Sequence, residues 1–85
     1  MNDTNQAKNT KVPVIASFST GGKMIPLYFR YNDQRIEVGR IIACDKSPAW
    51  MKYHCETITD NLRINYLLIY SIREQYWLFE QQSSS

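Results

Sequence analysis

A chain of 85 residues makes one small domain, too short for a multidomain machine or for a barrel enzyme built on roughly 250 residues. Apolar residues at 44% and charged residues at 21% lie near the globular average, which excludes wholesale disorder and any collagen-like or coiled-coil composition. Ten Lys and Arg against eight Asp and Glu leave +2, and Asp3, Lys8 and Lys11 near the N-terminus carry half of that, so charge lends little support to a phosphate-binding surface.

Residues 1–11 are rich in Asn, Thr, Lys and Gln with no periodic apolar residue, and they read as a disordered tail. Residues 81–85 read the same way, which places a single β domain over 12–80. Within it the hydrophobic period is two. Val12 to Phe18 aligns Val14, Ala16 and Phe18, and Ser19, Thr20, Gly21 and Gly22 then supply a hairpin turn. Met24 to Tyr31 puts Ile25, Leu27, Phe29 and Tyr31 on the buried face, with Met24, Tyr28 and Arg30 on the other. Asn32 and Asp33 tolerate the left-handed conformation and mark a second hairpin.

The third run, Arg35 to Cys44, changes phase after Gly39: Ile36 and Val38 share one parity, Ile41 and Ala43 the other. That is how a β-bulge or a barrel-corner kink looks in sequence. Ser47 and Pro48 mark a loop over 45–49, with Trp50 as its anchor to the body. Met51 to Ile58 carries Tyr53, Cys55 and Thr57 on one side and Lys52, His54 and Glu56 on the other. A turn at Thr59, Asp60 and Asn61 leads into Leu62 to Tyr70, and Gln75 to Glu80 is the last strand. A helix over Leu62 to Phe79 is the weaker alternative, because the segment is crowded with β-branched and aromatic residues and has no cap. Five or six antiparallel strands in so short a chain predict an all-β, partly open, SH3-like barrel or curved meander.

Chemistry-bearing patterns are scarce. The N-terminus has no apolar signal-peptide segment, and the longest apolar run, Tyr66 to Tyr70, is far shorter than the 18 or more residues a membrane span needs. Cys44 and Cys55 are too few for a disulfide framework, and no Cys/His cluster has zinc spacing, so the expected address is the cytoplasm with reduced thiols and no metal. If the third and fourth strands pair across the 45–49 loop, the two sulfurs could approach. The one histidine, His54, is adjacent to Cys55 on a strand, where neighbours point to opposite faces, so the two form no nucleophile pair. Ser19 to Lys23 lacks phosphate-loop spacing and leads into a strand. The chain is therefore expected to have no catalytic activity and no cofactor.

Two binding surfaces are suggested instead. Tyr28, Arg30, Lys52, His54, Arg63 and Asn65 have outward parity and could gather into an aromatic and basic face for single-stranded nucleic acid, with bases stacking on rings while cations follow phosphates. The alternative is a protein or peptide adaptor, using Trp50, Tyr53, Tyr76 and Trp77 as a groove or a strand edge as a template, homodimerisation included. Phe18, Phe29, Tyr66, Trp77 and Phe79 are assigned to the core. The stretches VIASFSTGGKMIPLYFRY, QRIEVGRII and INYLLIYSIREQYWLFE resemble small single-domain β proteins of unknown function from Gram-positive bacteria. The resemblance implies a compact β-barrel and carries no catalytic or binding residue onto these positions.

Overall fold

The computed structural model describes residues 9–82. Its strands, in chain order, are β1 (Thr10–Val12), β2 (Val14–Phe18), β3 (Met24–Tyr31), β4 (Gln34–Glu37), β5 (Arg40–Lys46), β6 (Trp50–Thr59), β7 (Leu62–Ser71) and β8 (Tyr76–Gln81). No helix among the described residues is long and apolar enough to cross a membrane. All strand pairs are antiparallel, in a five-stranded sheet of order β1-β8-β7-β6-β5 and a three-stranded sheet of order β2-β3-β4.

The six strands read from sequence become eight because two of them bend. At Pro13, which has no N–H to give to a ladder, the first strand leaves β8 and takes β3 as its partner, and the Pro13 carbonyl accepts from Arg30 N at 3.1 Å. At Gly39 the third strand leaves β3 and takes β6. A Cβ on Gly39 would lie 2.8 Å from the Glu56 carbonyl oxygen, so the corner needs glycine for close approach of backbone to backbone. The phase change at Gly39 is thus the passage between sheets; the bulge itself lies at Ile42, where the β5–β6 register shifts between Ile41 and Ala43. Each bent strand parts from one neighbour as it takes the next. The sheets are joined at two corners and do not close into a barrel.

Two turns are short because their residues allow it. Asn32 (φ 53°) with Asp33 (φ 61°), and Asp60 (φ 51°) with Asn61 (φ 64°), are left-handed pairs that match the twist of the strands they join. The strands extend a little beyond their expected limits: Thr10 and Lys11 pair with Phe79 and Leu78, and Gln81 pairs with Tyr66, so these residues belong to the sheet and not to the expected tails. The remainder of those tails, residues 1–8 and 83–85, lies outside the described residues.

The inner faces of the two sheets form the core around Phe29, Tyr53, Cys55, Tyr66, Leu68, Trp77 and Phe79. The Phe29 ring sits 5.3 Å from that of Tyr66 and 5.2 Å from that of Phe79, within the range where aromatic pairs add to burial. Two expectations fail on β2 and β3. Pairing of Ile15 with Tyr28 and of Ala16 with Pro26 skips Leu27, a bulge that turns Met24 and Pro26 inward and leaves Leu27 and Ile25 off the buried face. Phe18 keeps the parity of Val14 and Ala16 but ends an edge strand, and at 70% exposure it is not core.

Candidate functional site

The two sheets pack by their inner faces, so their outer faces point to opposite sides of the domain, and the expected aromatic and basic face is divided between them. Tyr28 and Arg30 lie on β3, where they line a shallow hollow of about 400 Å³ with Arg35 and Ile15. Lys52, His54 and Arg63 lie on the outer side of β6 and β7, with Asn65 opposite Glu56. The ring faces that would stack bases are occupied: Arg35 lies over Tyr28 at 4.2 Å, Lys52 over Trp50 at 4.6 Å and Lys11 over Tyr76 at 4.3 Å. Some of these side chains also lie against carboxylates. Arg63 Nε is 3.0 Å from Glu56 Oε2, Arg40 Nη1 is 3.9 Å from Oε1, and His54 Nε2 is 3.0 Å from Asp45 Oδ2.

The four-residue aromatic groove is divided as well. Tyr53 and Trp77 face the core with ring centroids 5.8 Å apart, while Trp50 opposite Ser71 and Tyr76 opposite the same residue belong to the outer side of the five-stranded sheet. Cys44 and Cys55 are free thiols, the first exposed and the second buried. Their strands do pair, but the register sets Cys44 against Tyr53 and Cys55 against Ile41.

What the bends create is a seam that the sequence reading did not anticipate. β3 pairs with β4 only from Tyr28 onward, and the last bond at the corner is Val38 N to the Leu27 carbonyl at 2.9 Å. Beyond it the start of β3 diverges from β5, which is an edge of its sheet. The gap is a groove of about 670 Å³ between the β2–β3 turn and β5, floored by Met24, Ile41, Met51 and Tyr53, with Cys44, Lys23 and Lys46 along it. That volume is typical of ligand sites. No Asp or Glu is among its lining residues.

Both ends of the groove are braced. Ser19 N donates to the Lys23 carbonyl at 2.9 Å and Lys23 N donates to Ser19 Oγ at 3.0 Å, with Gly22 at φ 83° completing the turn. At the other end Ala49 N and Trp50 N donate to Ser47 Oγ at 3.2 and 3.1 Å, and Ser47 N donates to the Trp50 carbonyl at 2.9 Å. On the floor, Tyr53 OH donates to the Met24 carbonyl at 2.6 Å and so ties the two sheets together.

The titration of the site is set by burial. The Tyr53 phenol is pushed up to about 12 by burial, with the Cys44 and Cys55 thiols adding to the rise. Burial raises Cys55 to about 12 against the Leu68 backbone hydrogen bond, and Tyr66 to about 12 against the bond from Thr57. The Cys44 thiol is raised by burial, with Lys46 opposing, Asp45 adding and Lys23 opposing. Both cysteines therefore stay as thiols near neutral pH, which is the unreactive form.

A stability prediction follows with a definite sign. A phenol raised in the folded state deprotonates first in the unfolded chain, so the contribution of Tyr53 is complete below pH 10 and is lost as pH rises from 10 toward 12. Denaturant midpoints measured across that interval should fall more steeply in the native protein than in Tyr53→Phe. Equal slopes would show that the phenol is not held neutral in the fold.

Among the described residues no group of three or more His, Cys, Asp and Glu could hold a metal ion. No protein-family model, no curated protein and no solved structure matches the chain.

Proposed function

We propose that the protein is a non-enzymatic binding module, working in the cytoplasm, that accepts an extended polypeptide segment along β5. The observation that carries this reading is the β5 edge, unpaired among the described residues, beside an apolar-floored groove. An edge strand offers alternating N–H and C=O groups that an incoming strand completes, while alternate side chains of that strand drop into a pocket for selectivity. The bulge at Ile42 interrupts the edge, so the regular stretch available for pairing is Ala43–Lys46.

Single-stranded nucleic acid, favoured by residue types alone, is the weaker reading. Its cations are split between opposite faces, Arg63 is paired with Glu56, and the Tyr28 ring is covered by Arg35. Chemical-shift titration of the full chain separates the two. A short alternating Thr/Val peptide should perturb Ala43–Lys46, Met24 and Met51. A mixed single-stranded oligonucleotide should give no saturable shifts at Lys52, His54 and Arg63; the reverse pattern would restore the nucleic-acid reading, with a steep dependence on salt.

A further inference from the structure

The chemistry of the occupant can be read from the charge of the groove, granted that the β5 groove binds peptide at all. The lining holds two cations, Lys23 and Lys46, and no carboxylate. They stand at opposite walls: Lys23 closes the β2–β3 turn and Lys46 ends β5, where it pairs with Met51 and shares the groove side of the strand with Cys44, opposite Tyr53. Asp45, the nearest acid in sequence, has the opposite parity, lies 3.0 Å from His54 on the outer face, and is not among the lining residues. Both lysines are exposed, Lys23 in a turn braced by the Ser19 hydroxyl and Lys46 at the end of β5 just before the loop braced by Ser47, and neither is in an ion pair among the described residues.

We infer that the partner is an acidic extended segment of another protein, with alternating carboxylate and apolar side chains, its apolar residues against Met24, Ile41, Met51 and Tyr53 and its carboxylates at Lys23 and Lys46. Alternation is required because successive side chains of a strand point to opposite faces, so one set reaches the floor while the other remains at the rim. Residues 1–8, with Asp3 against Lys8, and residues 83–85, all serine, lack such an alternating acidic pattern.

The test uses three synthetic peptides of equal length, alternating Glu/Val, Thr/Val and Lys/Val, titrated into the full-length protein at low salt. The Glu/Val peptide should bind about threefold to tenfold more tightly than Thr/Val, and Lys/Val more weakly than either, the size expected of one or two solvent-exposed ion pairs. The advantage should shrink as salt rises toward physiological strength. In the doubly reversed variant Lys23→Glu/Lys46→Glu the order should invert while Thr/Val affinity stays within about twofold. Circular dichroism of this variant checks that the fold is kept. Equal affinity for the three peptides overturns the acidic assignment and leaves the peptide-binding reading standing; binding of none of them overturns both.

Discussion

Phe29→Ala should destabilise the protein by about 3 to 5 kcal/mol, the range for removing a buried aromatic ring from a core. Phe29 is the one large aromatic that the three-stranded sheet sends fully into the core, and its ring meets Tyr66 and Phe79 of the other sheet at 5.3 and 5.2 Å. Its removal leaves a cavity where the sheets meet and takes two ring contacts with it. Against the total of about 5 to 15 kcal/mol typical of a domain, that is about a fifth of the stability or more. Denaturant unfolding followed by Trp fluorescence should show a much lower midpoint with little change in slope. Phe18→Ala is the control. Parity predicts both residues to be core, yet Phe18 is exposed and its loss should fall within about 0.5 kcal/mol, as for an ordinary surface position. Similar losses at the two sites would contradict the packing of the two sheets.

The second large effect is expected at Gly39. The Cβ of an Ala there would sit 2.8 Å from the Glu56 carbonyl oxygen and 3.4 Å from Thr57 Cα, both backbone atoms of a central strand that cannot rotate aside. Either β5 moves away from β6 or the corner opens, and overpacking of this kind costs about 1 to 3 kcal/mol for Ala and more for Val. Gly21→Ala should be nearly neutral by the same measurement, because its nearest contact is Ser19 Oγ at 3.9 Å. Since the corner sets the divergence of β3 from β5, Gly39→Ala should also weaken binding of the Thr/Val peptide. Stability unchanged in Gly39→Ala would show that the close approach at the corner is not what shapes the seam.

The elements legible in the sequence are those fixed by short-range chemistry. Alternation in Met51 to Ile58 sets Tyr53 and Cys55 on one side of the strand, the side that faces the core; Phe29, Tyr66, Trp77 and Phe79, assigned to the core, are found there, and the Asn-Asp and Asp-Asn pairs place two hairpins. Gly39 was legible as a break, although not as a change of sheet, because a corner and a bulge leave the same trace in parity. The start of β3 departs from simple alternation for a related reason: Pro26 interrupts the strand, and a proline inside a strand marks an edge or a bulge; the bulge at Leu27 turns Met24 inward.

The binding surface was less legible, because parity gives the side of a strand and not the sheet to which the strand belongs. Tyr28 and Arg30 do share outward parity with Lys52, His54 and Arg63, but outward from the other sheet. The groove depends on where two strands stop pairing, a tertiary property. Two local features mark its place: Pro26 beside the bulge of β3, and Gly39 at the corner between β4 and β5.

Amide hydrogen exchange of the full-length protein, with and without saturating Thr/Val peptide, tests pairing along β5 most directly. The unpaired half of the β5 amides should exchange quickly in the free protein and slow markedly over Ala43–Lys46 when the peptide is present, with the outer-face positions Lys52, His54 and Arg63 unaffected. Binding without protection at β5, or protection confined to the outer face of β6 and β7, would contradict strand addition as the function of this fold.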